Sequence, residues 1–386
     1  MHYDLIIVGG GLVGAGLAAA LPDKRIALID AKLPSQDDPR LFALNYGSCQ
    51  FLQHLGLWPM LAAHAAPIHQ VHVSYQGRFG AVRLTREDAH LPTLGHVIPA
   101  RFIEAALHDK LASSIHITLY RPAKLISLHQ QEGRVTLTLD TAIGQKILHA
   151  PLVIGADGTE STVRSQLNIP ITVVDYHQSA IVTRTTLKRS HHHIAYERFV
   201  DNGAIAMLPL VGNECATIWT AEKKVIAHLM SLSDDDFLQA LQKEFGYRLG
   251  RLERCQVRHQ FPLRMVRAER SIADSVILLG NALHTLHPIA AQGFNLAVYE
   301  VATLIDSMKE KVDLQQALLQ TQKQQAKSIG LSHRLSQLFS RHSLLAGFIP
   351  FGMVGLDLMP TLKTKCLQEM MGRSGRVPSL LLSANE

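Results

Sequence analysis

The chain opens on Leu5-Ile6-Ile7-Val8, four apolar residues in a row, and passes at once into Gly9-Gly10-Gly11 and a run of helix formers from Leu12 to Leu21. Pro22-Asp23 ends that run, and Arg25 to Asp30 is again strand-like. Strands that lack polar alternation are buried on both faces, so the pattern predicts a β-α-β unit in a parallel sheet. A helical stretch follows near Ser48–Leu55, and Val71–Leu84 then alternates as a half-exposed strand pair turning at Gln76-Gly77. Pro99–Ala112 predicts a helix with proline near its start. Strand-like runs come next near Ala123–His129, Arg134–Asp140 and Lys146–Leu148, the first two joined at Glu132-Gly133. From about Ile171 to Pro262 alternation dominates, in Ser179–Leu187, Ile194–Val200, Ala204–Leu208 and Glu214–Thr220, with one acidic-capped helix near Ser233–Phe245. That is the pattern of an antiparallel sheet. Val276-Ile277-Leu278-Leu279 returns as a buried parallel-type strand, and from Asp313 the pattern is helical.

The chain therefore leaves a first domain and comes back to it. The expected fold class is α/β: a Rossmann-type domain with a parallel sheet, interleaved with an antiparallel-sheet domain and followed by a helical C-terminus. The expected segments are 1–75, 97–170 and 265–330 for the first domain, 76–96 and 171–264 for the second, and 331–386 for the C-terminal helical region. A length of 386 residues suits two interlocked domains. Four cysteines, scattered singly with no C-x-x-C pair, form neither a disulfide framework nor a zinc site, which favours a reducing, cytoplasmic setting. Met1-His2-Tyr3-Asp4 runs straight into the first strand, leaving no room for a signal segment, and no apolar run reaches the roughly 18–20 residues of a membrane span. The formal charge of +6 permits attraction to anionic lipid or phosphate. Its basic residues are dispersed, without an arginine-rich run, which argues against a nucleic-acid partner.

Chemistry is written in three places. In Gly9-x-Gly11-x-x-Gly14, Gly9 permits a tight turn, Gly11 lets a pyrophosphate approach the backbone and Gly14 allows close helix–strand packing. Asp30 closes the second strand, where a carboxylate can accept from ribose hydroxyls. This motif alone does not separate FAD from NAD. The second place is Leu152 to Arg164, where a buried strand delivers Asp157-Gly158 into a turn that starts a helix; Asp157 serves either an anion site or the turn itself. The third, Leu279 to Leu296, holds Gly280-Asn281, His284, His287-Pro288 and Gln292-Gly293-Phe294-Asn295. Helix N-terminal amides near Gly293–Asn295 could stabilise negative charge on a reduced flavin ring, or the segment is a second glycine-bearing turn. No carboxylate or cysteine completes a metal site with His284 and His287, and His191-His192-His193 reads as a solvated loop between strands.

Taken together, the three ordered motifs resemble the group A FAD-dependent aromatic hydroxylases over about residues 1–330. Gly280-Asn281, Thr285-Leu286-His287-Pro288, Gln292 to Leu296, Glu197-Arg198-Phe199 and Ala206-Met207-Leu208-Pro209-Leu210 look closest to the ubiquinone-biosynthesis 2-polyprenyl-6-methoxyphenol hydroxylase family. The resemblance implies one FAD, held at its ADP half by Gly9, Gly11, Gly14 and Asp30, with Arg40 and Arg101 against ribose or pyrophosphate. Asp157 and Gly158 would serve the pyrophosphate region, Asp157 also the entering nicotinamide cofactor, Asn281 the ribityl chain or pyrophosphate, and Pro288, Gly293, Phe294 and Asn295 the isoalloxazine. It further implies ring hydroxylation of a polyprenylated phenol with O2, through a flavin C4a-hydroperoxide. NADH or NADPH would act as a transient reductant, since no second nucleotide-binding unit is visible. Two positions depart from the pattern: Asn281 replaces the usual aspartate and brings no charge, and Ala291 adds a methyl group where glycine is usual. His284 is the candidate to take the phenolic proton, because its reference pKa lies near neutrality; the alternative is a structural hydrogen bond.

The apolar stretch Leu344–Leu356, with Pro350 interrupting any helix and basic residues after it, could lie on a membrane surface, cover a subunit of a ubiquinone-biosynthesis complex, or pack on the FAD domain. Two other functions fit the same motifs: an FAD-dependent reductase of similar fold, and a non-catalytic subunit of a quinone-synthesis complex.

Overall fold

The computed structural model describes residues 1–33, 38–201, 203–285, 292–321, 349–373 and 375–383. The first sheet has six strands, in the order Ile272–Ala273, Val276–Leu278, Val153–Gly155, Leu5–Val8, Ile26–Ile29 and Ile117–Tyr120. Its neighbours are parallel except the Ile272–Ala273 and Val276–Leu278 pair. Both faces are covered, which is why these strands read as unbroken apolar runs. Leu5 and Ile7 pack with the helices Leu12–Ala19, Ala100–Ala112 and Gln292–Glu310 through residues such as Leu17, Ile103 and Val301. Ile6 and Val8 face the other way, onto a three-stranded antiparallel sheet made by Ala123–Gln131, Arg134–Thr141 and Gly144–Ala150.

The second sheet runs in the order His284–Thr285, His259–Ala268, Ile171–Leu187, Glu214–Glu222, Gly203–Pro209, Ile194–Val200, Gln70–Tyr75, Ala81–Thr85, with Leu252–Cys255 beside Ile171–Leu187. One face buries Ile205, Met207 and Trp219 under the helices Lys223–Ser231 and Asp234–Phe245. The longer helix begins where the alternating pattern predicts: the Ser233 side chain accepts from the Asp236 amide, and Asp234, Asp235 and Asp236 occupy the first turn. The opposite face meets Leu41, Ala43 and Val97.

Four expectations need correction. Gln70–Tyr75 belongs to the second sheet, because it pairs with both Ala81–Thr85 and Ile194–Val200; a hairpin cannot be divided at residue 75 between two domains. Likewise His259–Ala268 continues past residue 264, and His284–Thr285 adds a further strand to the same sheet. Pro350 does not interrupt a helix: it sits in the first turn of Ile349–Leu358, where its missing N–H has no partner to lose. That helix packs on the outer strand of the second sheet, with Asp357 accepting from the Arg83 amide at 2.8 Å and Met353 in the same apolar cluster, and not on the first sheet. His191 is buried beside the carbonyls of Leu210 and Gly212 at 3.0 and 3.1 Å, while His192 is exposed and His193 half-buried, so the tract is not solvated throughout. Residues 344–348 of the apolar stretch lie outside the described residues. Among the described residues, no helix is long and apolar enough to cross a membrane.

Phe237, fully buried between Trp219 at 5.9 Å and the Arg258 guanidinium at 5.0 Å, anchors the helical cover of the second sheet. Phe237→Ala is expected to lower unfolding free energy by about 3–5 kcal/mol, read as a fall in the urea midpoint with an unchanged slope.

Candidate active site

The three chemical segments leave neighbouring strands of the first sheet at the same edge. Val8 pairs with Gly155, and Gly155 with Leu278. Beyond them the backbone ladder continues for one step, with the Ala156 amide donating to Val8 at 2.7 Å and the Leu279 amide donating to Gly155 at 2.9 Å. Gly9, Ala156-Asp157 and Gly280-Asn281 are thereby brought side by side. Gly9 has φ +109°, and a methyl group added there would lie 2.2 Å from the Ala156 carbonyl oxygen. A methyl group at Gly14 would lie 1.9 Å from the Gly9 oxygen, so both positions are closed to any other residue.

Gly11, Gly158 and Gly293 are different: an added methyl group at each meets nothing within 4 Å among the described residues. At Gly11 and Gly158 the backbone borders space that a pyrophosphate requires. The Leu12–Ala19 helix starts immediately after Gly11 and directs free amides and the positive end of its dipole into that space.

The acidic residues are more occupied than their spacing suggests. Asp30 accepts from the Gly10 amide at 3.1 Å, from Arg121 at 2.9 Å and from the Lys32 amide at 2.9 Å. A carboxylate offers about four acceptor positions, so one remains for a ribose hydroxyl. Asp157 accepts from the Ser161 hydroxyl at 2.5 Å and from the Thr162 and Val163 amides at 2.7 and 3.1 Å. These bonds make it the acceptor of its own turn, and among the described residues it keeps one acceptor position, as Asp30 does. Arg164, 4% exposed, donates to the carbonyls of Ala282 and Thr159 at 2.9 and 2.7 Å and so ties the second segment to the third.

In the third segment Asn281 is exposed, whereas His284 is buried. The His284 Nε2 lies 2.5 Å from Glu300, whose other oxygen accepts from the Gly280 amide at 3.0 Å. This pair locks the turn onto the helix Gln292–Glu310. Asn295 bridges to the strand Leu41–Asn45, accepting from the Asn45 amide at 3.0 Å and donating to the Ala43 carbonyl at 2.9 Å, while Phe294 rests 5.0 Å from Phe42. Pro288 and Ala291 lie outside the described residues.

Arg40 is half-exposed and bound to Asp38 and Glu104 at 2.5 and 2.9 Å; its bonds to Asp38 hold its pKa above the usual arginine value. Arg101 stands in the first turn of its helix, 4.7 Å from the Phe102 ring, and close to Arg184 of the second sheet. Burial first, and then the charge of Arg101, lowers the Arg184 pKa.

The family described as FAD binding domain matches residues 2–331. The chain belongs to that family. Ubiquinone hydroxylase UbiL of Rhodospirillum rubrum is 32% identical over 312 residues, covering 79% of this chain and 72% of that protein. The 3-demethoxyubiquinol 3-hydroxylase of Escherichia coli is 30% identical over 311 residues, 78% of each chain. Among solved structures, p-nitrophenol 4-monooxygenase PnpA from Pseudomonas putida aligns over 96% of this chain and 99% of its own with a TM-score of 0.78 and 16% identity, which shows the shared fold.

FAD is the cofactor of this family, and the open backbone at Gly11 and Gly158 fits it. Sequence reasoning missed Arg121 and Glu300. Arg121 carries a faint signal, a cation directly after a parallel strand and before Pro122, whereas Glu300 reads as one acid in a helix.

The two kinds of glycine give opposite outcomes. Gly11→Ala should leave the urea midpoint of the apoprotein unchanged and weaken FAD by about tenfold or more, roughly 1.4 kcal/mol, in a flavin-fluorescence titration. Gly9→Ala should instead lower the unfolding free energy of the apoprotein by about 2–4 kcal/mol, seen as a fall in the midpoint, since the clash is with backbone. Removing one partner of the buried pair, in Glu300→Gln, should cost about 3–5 kcal/mol in the same assay.

Proposed function

We propose that the protein is an FAD-dependent monooxygenase that hydroxylates the ring of a polyprenylated phenol in ubiquinone biosynthesis, using O2 and NADH or NADPH. The observation that carries this reading is identity of 30% or more, over most of the chain, with two ubiquinone-ring hydroxylases, in a chain that brings three nucleotide-binding turns together.

Bound FAD, reduced by the nicotinamide cofactor, supplies the oxygen-activating chemistry. The chain's own residues bind and orient it. The amides that follow Gly11 meet the pyrophosphate, with Gly9 and Gly14 shaping the turn and Asp30 offering its remaining acceptor position to a ribose hydroxyl. Arg101 and Arg184 lie close enough to repel each other, and an anion beside both would relieve that repulsion, which supports Arg101 as a pyrophosphate ligand. Arg40, already paired, stands at the outer rim. Gly158 leaves room for the phosphates, while Asp157 holds the turn. Asn281 offers an uncharged amide to the ribityl chain, and Gly293, Phe294 and Asn295 set the helix N-terminus against the ring. His284 is a positioning residue through Glu300.

A polyprenyl tail partitions into lipid, and the exposed Leu358, Met359 and Leu362, at 73, 50 and 44% exposure, support peripheral membrane contact or contact with a complex subunit. Purified protein supplied with NADH, 18O2 and a short-chain 2-prenyl-6-methoxyphenol is expected to place one labelled oxygen on the ring, read by mass spectrometry. NADH oxidation without ring oxygen across a panel of prenylated phenols would favour a reductase, and a colourless protein that binds no flavin a non-catalytic subunit.

A further inference from the structure

The face of the second sheet that meets the FAD-binding segments has an unusual member. Cross-strand partners point to the same side, so Glu197 shares its face with Val73 and Ala206 directly beside it, and with Ile218 and Val182 on the next two strands. Behind this face the sheet is sealed: Ile181, Ile205, Met207 and Trp219 are buried under helices. In front, Val73, Val182, Ala206 and Ile218 are only half-buried, and so is Glu197. The wall is apolar and open on one side, as a prenylated aromatic ring requires, with one carboxylate among these five side chains.

Two connections place this wall at the cofactor. Leu41 and Ala43 pack against it, and theirs is the strand whose backbone Asn295 holds at the start of the flavin-side helix. Arg184 lies on the same face and senses the charge of Arg101 on the nucleotide side. Among the described residues Glu197 makes no hydrogen bond or ion pair. The residue is half-buried, its carboxylate is surrounded by protein, and desolvation pushes its pKa up to about 7. No charge takes part in that shift. Tyr75, Arg184, Glu214 and His259 occupy other positions of this face, while Asp357 and Lys363 on the helices packed against it are paired with Arg83 and Asp88.

We propose that Glu197 is the catalytic base that accepts the phenolic proton of the substrate. The phenol O–H bond breaks, the proton joins a Glu197 carboxylate oxygen, and the electron pair remains on the phenolate. The charge spreads to the ring carbons ortho and para to that oxygen and makes them more nucleophilic toward the oxygen atom that O2 supplies at the reduced flavin. A carboxylate poised near neutrality and shielded from water suits this transfer. The assignment rests on the hydroxylase reading given above.

The test uses FAD-loaded enzyme, NADH, O2 and short-chain 2-prenyl-6-methoxyphenol. Glu197→Gln is expected to keep the bound-flavin spectrum and NADH-driven flavin reduction, while ring hydroxylation falls about 10²–10³-fold and hydrogen peroxide appears in its place. Wild-type product formation should rise with pH to a plateau above about 7. That limb should vanish in Glu197→Gln, persist in Glu197→Asp, and give way in Glu197→Gln to recovery near pH 10, about where an unperturbed phenol ionises. A nitro-substituted, more acidic phenol should rescue Glu197→Gln at neutral pH. Wild-type hydroxylation and an unchanged pH limb in Glu197→Gln would overturn the base assignment alone, as would equal loss with the acidic phenol. Failure of the wild-type enzyme to hydroxylate any phenol would remove the hydroxylase reading and this assignment together.

Discussion

Everything in the nucleotide half depends on three backbone segments running within hydrogen-bonding distance of one another as they leave the sheet. The Val8, Gly155 and Leu278 ends are held in register by strand pairing, and the ladder extends one residue beyond each strand. At that separation no side chain fits at Gly9 or Gly14. The same crowding explains the carboxylates: Asp157 turns inward to satisfy the amides of a helix start with nowhere else to bond, and Glu300 does so for Gly280. Arg164 then joins two of the segments through their carbonyls, leaving the outward-facing glycine backbone as the surface a cofactor meets.

The second sheet solves a different problem with the period of two. One set of alternating residues seals a helical layer, and the other forms a half-open apolar wall. A strand such as Ile194–Val200 therefore presents adjacent residues to two different layers, Tyr196 packing against Phe245 at 5.8 Å while Glu197 lies on the half-buried opposite face.

Local rules made much of this legible. Unbroken apolar strands, the glycine spacing and the Ser233 cap each follow from interactions within a few residues, and they stand where the pattern puts them. What escaped depends on partners far along the chain. The hairpin that includes Gln70–Tyr75 joins the second sheet because Ile194–Val200 pairs with it, more than a hundred residues later. His284 looks like a reactive group until Glu300 is seen one face of a helix away. Asp157 reads identically whether it binds a ligand or caps a turn, and only the geometry shows the three bonds by which it holds its turn. Glu197 belongs to a matching motif, but its place on an apolar wall becomes visible only when five strands are laid side by side.

The strand Val153–Gly155 sits between Leu5–Val8 and Val276–Leu278, so the central layer is assembled from the beginning, middle and late part of the chain. During synthesis the early β-α-β unit emerges with one side of Leu5–Val8 unpaired, and the layer is complete only after the whole antiparallel insertion has followed. Closure of such distant pairings is slow, and an open apolar strand edge attracts other chains meanwhile. The interleaving that assembles one dinucleotide cradle from three stretches of polypeptide thus sets a long interval of vulnerability on the ribosome.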